Sequence, residues 1–157
     1  MNLFWTETLY NHLKPRVLTG TADIDVSAAV YTAMVEVLLI EPRAAIHNLV
    51  IDLDIDKTTT GVNDVATASD TLDIAVFMKV DGTNYRAVAY SSQFTLSGTV
   101  GTAAPGGGWR FNLGHVDVTE DVSVRVKLSA ERADAEIPYR IHYTSEQAPD
   151  VTAVAAA

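Results

Sequence analysis

Three carboxylates raise the first chemical question in this chain. Asp52, Asp54 and Asp56 alternate with Leu53 and Ile55. An extended backbone therefore puts all three on one face, each about 7 Å from the next. Hard cations such as calcium collect several oxygen ligands, so the row invites a metal reading. A spacing this wide cannot chelate one ion without loop donors, and the glycine and terminal glutamate of an EF-hand loop are missing. The expectation is a solvated sheet face with no metal. Asp52, Asp54 and Asp56 are the candidate ligands should one bind.

The other reactive residue types are scattered. His12, His47, His115 and His142 lie far apart in sequence and form no HxxxH or HExxH element, so a catalytic zinc has no support. Ser91 and Ser92 lack the G-x-S-x-G turn that exposes a nucleophilic serine. Gly106, Gly107 and Gly108 lead into the strand-like WRFNL, whereas a phosphate-binding loop leads into a helix and carries Lys-Ser or Lys-Thr. Trp109, Tyr85, Tyr90, Tyr139 and Tyr143 are candidates for a sugar-stacking platform. Tyr139 and Tyr143 share a face with Ile137 and Ile141, which assigns those two to the core. With no acid–base pair and no oriented nucleophile, neither catalysis nor a cofactor is expected.

The elements that position these residues read as strands. Leu49, Ile51, Leu53 and Ile55 alternate with mostly polar partners. So do Leu72, Ile74, Val76, Met78 and Val80, then Val122, Val124, Val126 and Leu128, then Ile137, Tyr139, Ile141 and Tyr143. Each run has one apolar face that needs a covering layer. Strands are expected over residues 29–40, 45–56, 71–80, 85–90, 93–96, 109–113, 122–128 and 137–143, with Asp81-Gly82 as a hairpin turn. The fold class is all-β: an antiparallel β-sandwich, jelly-roll-like, with an N-terminal arm. The long connections 57–70 and 97–108 are polar or glycine-rich, and 129–136 has the composition for a helical turn or two.

The expected organisation is an arm over residues 1–28, a sandwich over 29–147 and an Ala-rich flexible tail over 148–157. Phe4, Trp5, Leu9 and Tyr10 crowd the arm and are its candidate partner-binding residues, because aromatic anchors dominate protein contacts. The chain has 157 residues, enough for one domain that buries roughly two thirds of its unfolded surface. It has no cysteine, consistent with a cytosolic origin. Its start does not read as a signal peptide, and no apolar run is long enough to cross a bilayer. Twenty Asp and Glu oppose 11 Lys and Arg, a net charge of −9. Such a surface repels phosphate backbones, so nucleic acid is not an expected partner, and neither is a membrane.

One segment resembles a known family. Residues 71–94, TLDIAVFMKVDGTNYRAVAYSSQF, resemble a hairpin of small virion proteins of tailed bacteriophages, the head decoration or cement proteins. There a strand like LDIAVFMKV meets a DG-containing turn, an aromatic residue and a second strand. The resemblance implies a structural protein, often trimeric, that sits on the outer face of a capsid and helps the shell resist internal pressure. Its partners would be the major capsid protein and copies of itself. Its location would be the virion surface, after synthesis in the host cytoplasm. A tail, neck or fibre sandwich is a second reading in the same class, and a carbohydrate-binding module is the rival from another class.

Overall fold

The computed structural model describes residues 14–24, 33–55, 59–60, 71–95, 108–130 and 135–154. Their elements, in chain order, are β1 (Pro15–Asp23), β2 (Val35–Glu41), β3 (Ile46–Asp54), β4 (Thr59–Thr60), β5 (Thr71–Lys79), β6 (Tyr85–Tyr90), β7 (Phe94–Thr95), β8 (Gly108–Val116), β9 (Val122–Leu128), β10 (Ala135–Thr144) and β11 (Asp150–Ala153). The protein is all-β, and its two antiparallel sheets pack face to face as a β-sandwich. The first sheet runs β1-β10-β3-β8, with β4 also on β10. The second runs β11-β2-β9-β5-β6, with β7 also on β5.

Period-two alternation explains the packing. Leu49, Ile51, Leu53, Ile137, Ile141 and Tyr143 turn inward from the first sheet. Leu72, Ile74, Val76, Val122, Val124 and Val126 turn inward from the second, and all twelve join one buried cluster. β-branched side chains fit this pleated surface, which favours strand over helix. The alternation stops one residue short of the sequence reading: Met78 is buried, but Val80 is already exposed in the turn. The sandwich is closed by rings. Phe94 of the second sheet meets Trp109 of the first edge-on, with centroids 5.6 Å apart, and Trp109 meets Phe111 at 6.5 Å.

The β5–β6 hairpin forms where Asp81-Gly82 places it. Gly82 has φ 72, a left-handed conformation that disfavours any side chain. Asp81 holds the turn: its Oδ1 accepts from the backbone N–H of Thr83 at 3.0 Å and of Asn84 at 2.6 Å. The backbone N–H of Asn84, then the Asn84 side-chain amide, then the backbone N–H of Thr83 hold the Asp81 carboxyl down to about 2.

Both ends differ from the sequence expectation. The sequence assigns residues 1–28 to an arm, but Pro15–Asp23 is strand β1, paired with β10 along its whole length from Pro15–Thr144 to Asp23–Glu136. Ala22 and Ile24 are fully buried. The pattern is hard to see because Gly20 interrupts it. A Cβ at Gly20 would stand 2.5 Å from the Tyr139 hydroxyl, so the missing side chain makes room for that ring. The tail also contributes a strand. β11 pairs with β2 from Asp150–Glu41 to Ala153–Leu38, and the Arg43 guanidinium holds the Asp150 carboxylate. The arm residues Phe4, Trp5, Leu9 and Tyr10 lie outside the described residues, as do Asp56 and most of 57–70 and 97–108. Of the stretch 129–136, Ala135 and Glu136 open β10 as strand, and 131–134 are not described.

The ring contacts give a direct test. Phe94 is fully buried although β7 has only two residues. Phe94→Ala is expected to lower unfolding free energy by about 3–5 kcal/mol, measured by urea denaturation. A loss near zero would mean that the Phe94–Trp109 contact does not hold the sheets together.

Candidate functional site

The outer face of the first sheet carries the carboxylates that the sequence singled out. β3 presents Asp52 and Asp54 between β8 and β10. Register puts Arg110 of β8 and Arg140 of β10 directly opposite Asp52. Arg110 binds Asp52 in two-pronged fashion, Nε to Oδ1 at 2.6 Å and Nη2 to Oδ2 at 2.8 Å. His142 adds its Nε2 at 3.2 Å from Oδ2. The Arg110 hydrogen bonds hold the Asp52 carboxyl below the usual carboxylate range, with smaller help from His142 and against a burial penalty. Asp52 and Arg140 border an open recess of about 540 Å³ that Thr19, Gly20, Leu53, Asp54, Gly108, Pro138 and Tyr139 also line.

This geometry bears on the metal candidates. Both oxygens of Asp52 already accept from the Arg110 guanidinium, so Asp52 is committed to cross-strand pairing. Asp54 lines the same recess and has interactions of its own. Among the described residues no group of three His, Cys, Asp or Glu side chains is arranged to hold an ion. His142, which lies on the polar face of its strand, is brought to Asp52 and stays partly exposed. That pairing joins residues far apart in the chain, which only the β10–β3 register reveals.

The outer face of the second sheet holds a different network. The Ser123 hydroxyl donates to Glu36, and Arg125 Nε donates to Ser123 Oγ at 3.1 Å. The Arg125 guanidinium also lies 4.5 Å from the Phe77 ring centre and 5.1 Å from that of Tyr85. Lys79 bridges to Asp121 and lies 5.3 Å from the Tyr85 ring centre. The hydrogen bond to Asp121 raises the Lys79 ammonium above its ordinary value, and burial raises the Tyr85 phenol. These contacts tie strands together.

The remaining candidates have structural partners. Ser91 accepts from the backbone N–H of Ile74 at 3.2 Å and donates to the Ser92 carbonyl at 2.7 Å, so it extends the pairing of β6 with β5. Trp109 packs on Phe94 and Phe111, Tyr143 is buried and Tyr139 is half-buried. Of the five proposed platform rings only Tyr90 is largely exposed. The sequence reading missed one pair altogether: His47 and His115 lie across from each other on β3 and β8, with Nδ1 atoms 3.2 Å apart.

Acid titration checks the Asp52 cluster. Its folded pKa lies below the unfolded value of 3.8, so the Arg110 contact stabilises the fold above that pH and is lost as pH falls through the folded pKa. Arg110→Gln is expected to melt below the wild type at pH 7, and the gap in Tm is expected to close in strong acid. A gap that stays constant with pH would show that the ion pair is not its cause.

Comparison with protein-family models, with curated proteins and with solved structures finds no match to this chain.

Proposed function

We propose that this protein is a non-enzymatic structural subunit of a virion, a decoration protein that binds the outer surface of a capsid shell and stabilises it. The observation that carries the reading is the β5–β6 hairpin. It is the segment that resembles the decoration proteins, and its outer strand is an open sheet edge. β6 has no partner beyond β5 among the described strands. It exposes Val88 and Tyr90, at 43% and 65% of their full surface. Unpaired backbone groups beside exposed apolar side chains favour strand addition or a subunit contact.

Two further features support the reading. Taking the long strands in chain order, one sheet runs first–eighth–third–sixth and the other second–seventh–fourth–fifth. This order supports the reading of a wrapped double Greek key, a jelly roll, an architecture widely used by viral capsid and lectin domains. The outer faces carry paired charges, Asp52 with Arg110 and Lys79 with Asp121, which suits a protein whose task is attachment. Repeated copies on a lattice would add avidity to a modest interface per subunit. A carbohydrate module, the rival reading, draws less support because its aromatic candidates are mostly spent on packing.

Binding to shells is the decisive experiment. The protein is expected to co-sediment in stoichiometric copies with assembled capsids and to form a symmetric oligomer by native mass spectrometry, and Val88→Lys is expected to weaken both. A glycan-binding monomer with no affinity for shells would overturn the proposal. With net charge −9, attachment through apolar and hydrogen-bonded surface is expected to survive added salt. A steep loss between low and moderate salt would make the acidic surface the docking face. Deleting residues 1–14 tests the arm: assembly is expected to weaken while the circular dichroism of the sandwich is kept. Unchanged assembly would remove Phe4, Trp5, Leu9 and Tyr10 from the interface.

A further inference from the structure

The β3–β8 pair is interrupted at one place, and two histidines face each other there. Ile46 pairs with Val116, both buried, so the next residues in that register, His47 and His115, stand opposite each other on the outer face. Both are exposed. Beyond them the ladder slips twice, first between Ile46 and Leu49 and then between Leu49 and Val50. The slips cancel, since Ile46–Val116 and Val50–Asn112 share one register. Asn48 and Gly114 take φ of 55 and 70 to allow it. Bulges of this kind re-aim side chains. Here they flank a pair whose Nδ1 atoms lie 3.2 Å apart and whose ring centres lie 4.9 Å apart.

Those two distances match the bite of a transition-metal ion. Metal–imidazole bonds of about 2.0–2.1 Å place two nitrogens roughly 3.3–3.4 Å apart in a tetrahedral site and about 2.9 Å apart at right angles. The observed 3.2 Å lies between. If both ring axes converge on one ion, the ring centres fall about 5 Å apart, as observed, whereas two rings aimed straight at each other would stand nearer 5.4 Å. In the metal-free protein the same contact is a hydrogen bond, with one Nδ1 donating and the other accepting. For both to ligate, the donating ring carries its proton on Nε2 instead, a tautomer exchange through water that leaves both rings neutral.

We propose that His47 and His115 form a cross-strand chelate for a divalent transition-metal ion, with Cu2+ bound tightest and Ni2+ and Zn2+ behind it in the order of their affinity for nitrogen ligands. No third His, Cys, Asp or Glu completes the set among the described residues. Water therefore fills the other positions, and His47 also borders a recess of about 270 Å³. The site is open and exchangeable, unlike a buried structural zinc. It joins the edge strand β8 to the interior strand β3, so occupancy reinforces that edge. The inference is independent of the assembly role proposed above.

Titration of the full chain with CuCl2, NiCl2 and ZnCl2 tests it. The expected result is one ion per chain, a Tm that rises with ion concentration, and an electron paramagnetic resonance spectrum of the Cu2+ form with hyperfine structure from two nitrogens. His47→Gln and His115→Gln are each expected to weaken binding at least tenfold, about 1.4 kcal/mol, with circular dichroism unchanged. His12→Gln is expected to bind as the wild type does. Absence of binding for all three ions, or binding that survives both single substitutions, would overturn the proposal. If either Gln variant misfolds, one-nitrogen coordination in the corresponding Asn variant sustains the assignment and two-nitrogen coordination refutes it.

Discussion

The structure depends on one constraint: two sheets, each apolar on a single face, must cover each other. Neither is viable alone, because Leu49, Ile51 and Ile141 on one side and Ile74, Val76 and Val124 on the other would stand in water. The strand order follows from this need. The chain passes from β1 to β2 to β3 by changing sheets each time, and again from β8 to β9 to β10 to β11. Both layers therefore grow together around one core, and Phe94, Trp109 and Phe111 lock them at one end.

The same constraint dictates what the outer faces can do. Side chains that leave the core by alternation point away from the sandwich at strand spacing, so they meet neighbours across the ladder instead of converging on a point. Asp52 finds Arg110 and His142 in this way, and Arg125 finds Ser123, Phe77 and Tyr85. Exposed pairs of this type add little to stability. Their larger effect is on surface character, because they neutralise charge locally.

Most of the sandwich is legible in the sequence. The runs around Ile51, Ile74, Val124 and Ile141 repeat every second residue, and the structure buries each of them. The Asp81-Gly82 turn is legible because a positive φ demands a small residue and a carboxylate can cap the following amides. β1 was hidden because its alternation is broken at Gly20, a position shaped by Tyr139 from a distant part of the chain. β11 was hidden because four residues are too few to show a period, and an Ala-rich composition reads as flexible. The His142–Asp52 and His47–His115 contacts were out of reach for another reason. Register between strands is set by tertiary packing and bulges, and no local pattern records it.

The connectivity also governs how the chain reaches this state. β5 and β6 are the one consecutive pair of described strands that bond to each other. Apart from the short β7, which folds back onto β5, the other ladders among the described strands join segments that are distant in the chain, such as β1 with β10 and β3 with β8. Such pairings must meet the entropy of closing long loops before any contact rewards them. Refolding on the slow millisecond-to-second scale of all-β sandwiches follows, with the β5–β6 hairpin as the local structure available from the start. During that interval the edges and apolar faces are open to neighbours, so the nascent chain is at its most aggregation-prone before the two layers have met.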